Sequence, residues 1–230
     1  RRVLFRSLLA LCHRLKVPVV ARGAGTGLSG GALPLENGVL LVMARFRRIL
    51  EIDPLGRFAR VQPGVRNLAI SQAAAPHGLY YAPDPSSQIA CSIGGNVAEN
   101  AGGVHCLKYG LTVHNLLQVD IVTLEGERLS LGSSALDSAG FDLLALFTGS
   151  EGLLGVVVEV TVRLLPRPPV AKVLLASFDD VESAGRAVAD LIGAGIVPAG
   201  LEMMDNLSIR AAEDFIHAGY PVDAADRKST

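Results

Sequence analysis

The sequence has little net charge, few cysteines and no long apolar run. Its 230 residues carry a formal net charge of −1, and 19% of them are charged. A nearly neutral chain lacks the basic surface that nucleic acids and acidic membranes attract. No uninterrupted apolar run reaches the ~18 residues that a membrane-spanning helix needs. The basic N-terminus also lacks the apolar core and cleavage site of a signal peptide.

The chain has three cysteines, Cys12, Cys91 and Cys106, which are widely spaced and odd in number. This pattern fits free thiols in a reducing compartment better than a disulfide framework or a zinc site. The histidines have no metal-ligand spacing either. We therefore expect a cytoplasmic protein with no transmembrane segment, no nucleic-acid partner and no metal ligands within this sequence.

Both ends of the chain are expected to be foreign to the protein. Residues 1–7 can be back-translated into AGA-CGT-GTG-CTC-TTC-CGA-TCT, which resembles a common sequencing adapter. Residues 226–230 can be back-translated into GAT-CGG-AAG-AGC-ACA, which lies within the reverse complement of that adapter. A complementary pair at opposite ends is hard to obtain by chance. We therefore expect residues 8–225 to be an internal part of a longer protein.

A glycine-rich loop, Arg22-Gly-Ala-Gly-Thr-Gly-Leu-Ser-Gly-Gly31, follows the apolar run at residues 17–21. Glycine tolerates positive φ and has no Cβ, so such a loop folds tightly and brings its N–H groups close to a ligand. Successive N–H groups that point into one concavity bind an anion. The loop therefore predicts a phosphate site.

The spacing of Gly25, Gly27 and Gly30 also matches the fingerprint of nicotinamide dinucleotide sites. That fingerprint requires a helix that begins within the motif. Pro34 stands where this helix would run, and proline in a helix interior costs about 3 kcal/mol. We therefore expect a wrapping loop, whereas a helix over residues 30–39 would support a nicotinamide Rossmann dehydrogenase.

Hydrophobic periodicity and turn residues predict the other elements. The predicted helices are residues 8–16, 67–75, 141–147, 181–192 and 206–216, and the predicted strands are residues 17–21, 39–43, 49–53, 58–61, 116–124, 128–131, 154–164, 172–178 and 197–203. The strands at 116–124 and 128–131 are expected to form a hairpin through a turn at residues 125–127.

Three details of these helices are testable. In the first helix, Leu8, Leu11 and Leu15 share one apolar face. Asn67 is expected to cap the second helix. Asp179 and Glu182 stand where a capping box has its two partners.

Residues 166–169, Pro-Arg-Pro-Pro, form a stiff break and the best domain boundary. After it the pattern restarts as strand, helix, strand, helix and stops before a sheet is complete. Before it, residues 81–110 show little periodicity. An irregular segment of this length inside a compact domain is usually functional or disordered, and its low charge favours an ordered, functional segment.

Four blocks in a fixed order resemble a known family: residues 22–31, 83–87, 92–110 and 149–155. The chain resembles the PCMH-type FAD-binding domain of the vanillyl-alcohol-oxidase superfamily. Within it, the chain is most similar to the family of glycolate oxidase FAD subunits and D-lactate and D-2-hydroxyglutarate dehydrogenases. The resemblance covers residues 8–225 and implies an α+β fold. A domain of two α/β subdomains at 8–165 would precede the truncated start of an α+β, ferredoxin-like cap domain at 170–225.

The resemblance implies which residues hold FAD. The first loop would take the pyrophosphate, residues 83–103 would run along the cofactor toward the flavin, and residues 149–157 would lie toward the adenosine end. A helix over residues 93–101, with Ser92 as its cap and as a hydroxyl donor, would add a favourable dipole. The expected cofactor residues are Arg22, Gly23, Ala24, Gly25, Thr26, Gly27, Leu28, Ser29, Gly30, Gly31, Pro83, Asp84, Pro85, Ser86, Ser92, Ile93, Gly94, Gly95, Asn96, Asn100, Gly102, Gly103, Gly149, Ser150, Glu151, Gly152, Gly155, Val156 and Val157.

One position bears on how the flavin is attached. Relatives with covalently linked flavin carry a histidine near the end of the first loop, and aligned on Arg22 that position is Thr26. The resemblance therefore implies non-covalent FAD.

The resemblance also implies the reaction, which is oxidation of a small 2-hydroxy acid to the 2-oxo acid with hydride transfer to flavin N5. The carboxylate clamp, the base and a histidine metal motif would lie mainly beyond Ala225, so the chain alone is expected to be inactive and to bind FAD weakly. His105 is the one candidate base within it. An iron–sulfur electron-transfer subunit is an expected partner, with which the protein would lie at the inner face of the membrane.

Three alternatives remain open at this point. One is a non-redox, FAD-containing alkyl-transfer synthase of the same fold. Another is the nicotinamide Rossmann dehydrogenase. The third is a non-enzymic interaction fragment in which the glycine loops are only structural.

Overall fold

A computed structural model describes residues 2–133, 140–222 and 226–229. The α-helices of this part of the chain are α1 (Arg2–Leu15), α2 (Asn67–Ala74), α3 (Ile93–Glu99), α4 (Cys106–Tyr109), α5 (Leu143–Phe147), α6 (Val181–Gly193) and α7 (Asn206–Ile216). The strands are β1 (Val19–Arg22), β2 (Val39–Val42), β3 (Ile49–Asp53), β4 (Phe58–Val61), β5 (Leu79–Tyr80), β6 (Leu116–Val122), β7 (Arg128–Gly132), β8 (Val156–Arg163), β9 (Leu165–Pro166), β10 (Leu175–Phe178), β11 (Glu202–Asp205) and β12 (Asp226–Ser229).

The chain divides into two compact units. The first comprises Arg1–Gly103 and Gly110–Arg167, and the second comprises Val104–Tyr109 and Pro168–Thr230. The second unit thus takes a short piece from the middle of the chain, which sequence reasoning did not anticipate. The origin of residues 1–7 and 226–230 in adapter sequence stays a prediction.

A five-stranded sheet in the order β3-β4-β8-β6-β7 forms the centre of the first unit, and all its neighbours are antiparallel. Its main core includes Val160 and Val162 of β8, which are completely buried. The alternate β8 residue Glu159 is also buried, and its Oε1 accepts a hydrogen bond from Arg60 at 3.2 Å. The predicted hairpin of β6 and β7 is confirmed.

A second, smaller core lies under α1 and the parallel pair β1 and β2. Among the side chains of α1 that the structure describes, Phe5, Leu9 and Cys12 are buried, and they follow each other at helical spacing. The apolar face predicted at Leu8, Leu11 and Leu15 is not the one that packs on the core, because Leu11 and Leu15 are exposed. The helix also begins before its predicted start at residue 8, and this extension brings Phe5 into the core.

Two predictions about the ends of α2 and α3 are wrong. Asn67 does not cap α2, since Arg66 holds the cap position and the Asn67 side chain bonds elsewhere. Helix α3 stops at Glu99 because Asn100 takes the left-handed conformation, with φ of 48°. Residues 30–38 form turns and loop before β2 begins at Val39, so the predicted wrapping loop is confirmed. A Rossmann site requires a helix in this place, and the nicotinamide alternative is therefore not supported.

The second unit has a three-stranded antiparallel sheet in the order β10-β12-β11. Helix α6 is capped by Asp180, whose Oδ1 accepts a hydrogen bond from the Ser183 N–H at 2.6 Å. The predicted capping pair of Asp179 and Glu182 is therefore wrong by one residue, and Glu182 instead pairs with Arg186 one turn on. Helix α7 has its predicted bounds, 206–216.

Within the described ranges, no helix is long and apolar enough to cross a membrane. The same ranges contain no group of three or more His, Cys, Asp or Glu side chains that would hold a metal ion.

Candidate functional site

A cavity of about 410 Å³ opens in the first unit, beside the glycine loop. Two stretches of chain supply most of its lining. We call residues 23–31 the loop wall and residues 83–101 the buried wall. The lining residues are Ala21, Gly23, Ala24, Gly25, Thr26, Gly27, Leu28, Ser29, Gly31, Ala32, Pro85, Ser86, Ser87, Cys91, Ser92, Gly95, Asn96, Ala98, Glu99, Ala101 and Glu151.

The two walls are in close contact at Gly23 and Ser92. A Cβ on Gly23 would lie 2.2 Å from Ser92 Oγ and 3.9 Å from the Gly95 nitrogen, so only glycine fits there without a shift. Ser92 Oγ is buried and has no hydrogen-bond partner among the described residues. Because an unpaired buried hydroxyl is costly, this atom marks a place where a polar ligand group belongs.

The loop wall leaves its own donors open as well. Residues 24–31 are exposed, and none of their N–H groups donates to a main-chain carbonyl within the part of the chain that the structure describes. Open N–H groups in a tight glycine loop form an anion site. The loop therefore has the donor set that the sequence predicts for a phosphate.

Helix α3 contributes differently from the prediction. Ser92 is its N-terminal cap residue, but its side chain makes no capping bond. The N–H groups of Ile93 and Gly94 donate to Val65 O and Pro63 O at 2.8 Å each. These first helical donors are thus used within the protein, and the donors left near the loop wall are the Ser92 hydroxyl and the Gly95 N–H.

Two carboxylates also line the cavity. Glu99 Oε1 lies 3.1 Å from the position of a Cβ on Gly27, and Glu151 Oε2 lies 3.8 Å from that of a Cβ on Gly31. The cation next to the loop is Arg22, whose Nη2 lies 2.8 Å from the position of a Cβ on Gly25. A phosphate in this cavity would therefore lie near charges of both signs, and neutral N–H and O–H donors would supply much of its recognition.

A smaller cavity of about 60 Å³ shares six lining residues with the larger one: Ala21, Gly23, Ser92, Gly95, Ala98 and Glu151. Its remaining lining is mostly apolar. It consists of Met43, Pro63, Gly94, Phe147, Gly152, Gly155, Val156 and Val157. An apolar ligand group next to the anion site would be held here.

Some predicted cofactor residues line neither cavity: Arg22, Gly30, Pro83, Asp84, Ile93, Asn100, Gly102, Gly103, Gly149 and Ser150. Several of them support the walls from behind. Asn100 Oδ1 accepts from the Val113 N–H at 3.0 Å, and a Cβ on Gly103 would lie 2.3 Å from Asp84 O. Their direct contact with a cofactor stays a prediction.

Sequence reasoning missed Glu99, Cys91, Met43 and Phe147 as lining residues. Glu99 could have been predicted from the sequence, because residues 92, 95, 96 and 99 share one face at helical spacing. The others left no local signal, since their place depends on long-range packing.

His105, the candidate base, belongs to the second unit and lines neither cavity. Its ring lies 6.4 Å from that of Tyr109, centroid to centroid, at an interplanar angle of 49°. A catalytic role for His105 stays a prediction.

A family model described as FAD binding domain matches residues 5–132, more than half of the 230-residue chain. The chain belongs to the FAD binding domain family. A second model, FAD linked oxidases, C-terminal domain, matches residues 167–226. The sequence resemblance to PCMH-type FAD-binding proteins is thereby confirmed, and the non-enzymic alternative is not supported.

Curated relatives agree with this family. The chain is 82% identical over 218 residues to glycolate oxidase subunit GlcD of Escherichia coli K12, covering 95% of this chain and 44% of the relative. It is 43% identical to GlcD of Bacillus subtilis strain 168, covering 94% and 46% respectively. It is 36% identical to a D-lactate dehydrogenase of Archaeoglobus fulgidus, covering 90% and 46%. The chain thus spans less than half the length of these relatives.

Solved structures of alkyldihydroxyacetonephosphate synthase in two crystal forms match 97% of this chain with TM-scores of 0.82 and 0.81. Their sequence identities are 20% and 19%, and the matched region is 44% and 45% of their chains. This likeness shows the α+β, PCMH-type FAD-binding fold and carries no argument for the synthase activity.

FAD is the cofactor of this family, and the residues present fit it. Ser92 Oγ offers an unpaired buried donor beside the open loop N–H groups, as the phosphates of FAD require. The apolar cavity next to them suits an aromatic ring.

Proposed function

We propose that FAD binds non-covalently in the 410 Å³ cavity, and that the protein oxidises a small 2-hydroxy acid to the 2-oxo acid. The observation that carries the binding proposal is the buried, unpartnered Ser92 Oγ, which stands against Gly23 of the loop wall. The observation that favours the reaction is the similarity to glycolate oxidase subunits and D-lactate dehydrogenases.

Different residues of the two cavities bind different parts of the cofactor. The open N–H groups of residues 24–31, the Ser92 hydroxyl and the Gly95 N–H donate to the pyrophosphate. Phe147 and Val156 of the smaller cavity pack against the adenosine end. Charge-assisted hydrogen bonds of this kind contribute about 1.5–3 kcal/mol each when the acceptor is charged.

When bound, FAD supplies the acceptor for the hydride that leaves the hydroxyl-bearing carbon of the substrate. The hydroxyl proton then needs a base, and the substrate carboxylate needs an arginine or lysine clamp. We place these groups mainly outside this sequence, with His105 as the candidate base within it. The chain by itself is then expected to bind FAD weakly and to turn over no substrate.

Titration of the purified chain with FAD tests the binding proposal. We expect saturable quenching of flavin fluorescence and a rise in the melting temperature, since a ligand that binds only the folded state stabilises it. FMN, which lacks the adenosine and one phosphate, serves as the control and should bind more weakly. Equal affinity for FMN and FAD would contradict the assigned pyrophosphate site.

Anaerobic mixing of the full-length flavoprotein with glycolate or D-lactate tests the reaction. We expect the absorbance of oxidised flavin to disappear and the corresponding 2-oxo acid to form in equal amount. Flavin that stays oxidised with every 2-hydroxy acid would overturn the proposed reaction and leave FAD binding intact.

Acid precipitation of the FAD-loaded protein tests the mode of attachment. Thr26, which lines the cavity, has no nucleophilic nitrogen to link the flavin. The yellow chromophore should therefore stay in the supernatant. A yellow pellet after thorough washing would show a covalent link at another residue.

We further propose that an iron–sulfur subunit accepts the electrons, at the cytoplasmic face of the membrane. The word "subunit" in the names of the GlcD relatives supports an assembly. Co-purification of the tagged full-length protein with a polypeptide that carries iron and acid-labile sulfide tests this proposal, and its recovery as a lone flavoprotein with full acceptor activity would contradict it.

A further inference from the structure

A buried amide behind the cavity joins parts of its lining. Asn67, at the start of α2, is only 1% exposed and does not line either cavity. Its Nδ2 donates to Pro83 O at 3.0 Å and to Asn96 Oδ1 at 3.0 Å. Both amide hydrogens of one side chain are therefore committed to two different segments of the buried wall.

The connection continues to the cavity surface. Asn96, which lines the cavity and is 4% exposed, donates from Nδ2 to Cys91 Sγ at 3.4 Å. The main-chain N–H of Asn67 donates to Cys91 O at 3.1 Å, and that of Leu68 donates to Gln88 O at 3.1 Å. The start of α2 thus holds the chain on both sides of Ser92 and of the turn that carries Pro85.

We propose that Asn67 is a positioning residue for FAD: its side-chain amide fixes residues 83–87 relative to α3 and so sets the distance between two parts of the cavity lining. The reason is geometric. Pro85, Ser86 and Ser87 line one part of the cavity, and Ser92, Gly95 and Asn96 line another. The Asn67 side chain bonds to both stretches, at Pro83 O and at Asn96 Oδ1. The inference rests on the proposed binding of FAD in this cavity.

Loss of the amide leaves Pro83 O and Asn96 Oδ1 without this donor in a buried place. Such a loss costs stability in any protein, so stability alone does not identify a positioning role. A positioning residue must weaken FAD binding more than an equally buried asparagine placed elsewhere. Asn115 provides that comparison, because it is completely buried, donates from Nδ2 to Leu111 O at 3.0 Å and lines neither cavity.

The experiment compares Asn67→Ala with Asn115→Ala in the full chain. The melting temperature of each apoprotein, the Kd for FAD and the absorbance spectrum of the bound flavin are measured. We expect both variants to lose thermal stability, and Asn67→Ala alone to bind FAD at least about tenfold more weakly with a changed flavin spectrum. Equal Kd values for the two variants at equal loss of stability would overturn the positioning role.

Two further outcomes are distinguished by design. If the unmodified chain binds no FAD under conditions where it is folded, the proposed cofactor site is refuted, and the positioning role of Asn67 is refuted with it. If Asn67→Ala does not fold, Asn67→Ser and Asn115→Ser, which leave smaller cavities, are compared in the same way. A selective loss of FAD affinity in Asn67→Ser supports the positioning role, and equal affinities refute it.

Discussion

The loop wall and the buried wall line the same cavity, yet one is held by its own hydrogen bonds and the other is not. In the buried wall, Ile93, Gly94 and Asn96 donate their N–H groups to Val65, Pro63 and Ser92, within a network that Asn67 completes. In the loop wall, residues 24–31 are exposed, and their N–H groups have no main-chain acceptor in the described chain.

The difference separates two tasks of a cofactor site. The buried wall forms as part of folding and presents a few fixed groups, chiefly the Ser92 hydroxyl. The loop wall leaves its donors unpaired, and in the proposed complex the cofactor phosphates would complete its hydrogen bonding. Substitutions in the packed part of the buried wall should therefore act on stability. Substitutions in the loop wall, and at the few side chains that the buried wall presents to the cavity, should act on FAD affinity.

The largest effect is expected from Gly103→Ala, next to the buried wall. Its Cβ would lie 2.3 Å from the main-chain oxygen of Asp84. A main-chain atom cannot move away by a change of rotamer, so the backbone itself would have to shift. Overpacking of this kind should lower the free energy of unfolding by about 3 kcal/mol, measured by urea denaturation. Gly185→Ala, in an exposed helix with nothing within 4 Å of the new Cβ, is the control and should not destabilise the chain. Equal stability of the two variants would remove the contrast between the walls.

The next effect concerns Gly23→Ala in the loop wall. Its Cβ would lie 2.2 Å from Ser92 Oγ, where the pyrophosphate donors converge. We expect FAD to bind about 100-fold more weakly, equivalent to about 2.7 kcal/mol, with little change in the stability of the apoprotein. Gly31→Ala serves as the matched control, since its nearest neighbour is 3.8 Å away and it should change the Kd little. A large loss of apoprotein stability in Gly23→Ala would instead show that the loop is part of the folding core.

Ser92→Ala sharpens the comparison, because its two effects have opposite signs. The hydroxyl is buried without a partner in the described chain, so its removal should leave the apoprotein equally or more stable. FAD affinity should fall by about tenfold or more through the loss of one charge-assisted hydrogen bond. Isothermal titration calorimetry measures the Kd for FAD, and thermal unfolding measures the stability of the apoprotein. Ser150→Ala, which also removes a buried unpartnered hydroxyl but lies outside the cavity lining, should leave the Kd unchanged.

The smallest effect is expected from Glu99→Gln. Its carboxylate lines the cavity close to Gly27, and removal of one negative charge should strengthen FAD binding by roughly threefold at low salt. The gain should shrink as salt is added, since Glu99 is exposed to solvent and screened. Glu127→Gln, at the far hairpin turn, is the control. A loss of affinity in Glu99→Gln would indicate that the carboxylate accepts a hydrogen bond from the cofactor.

Local pattern was enough to predict several parts of this molecule. The glycine loop, the hairpin of β6 and β7 and the bounds of α7 depend on residues close together in the sequence, and the structure confirms them. Pro34 likewise excludes a Rossmann helix by local sterics alone. The glycine loop by itself predicted a phosphate site, because such a loop is encoded by consecutive residues. The four ordered motifs indicated FAD through their resemblance to a known family.

Tertiary packing determined features that the local sequence pattern does not specify, namely which helix face is buried and which groups a buried side chain binds. The buried face of α1 depends on which side meets β1 and β2, so Phe5, Leu9 and Cys12 are inside while Leu11 and Leu15 are exposed. Asn67 looked like a helix cap from its neighbours, but its amide binds Pro83 and Asn96, which are far away in the sequence. The sequence by itself determined the cofactor class through local motifs, whereas only the tertiary structure decided which donors remain open to it, because hydrogen-bond partners are assigned by long-range contacts.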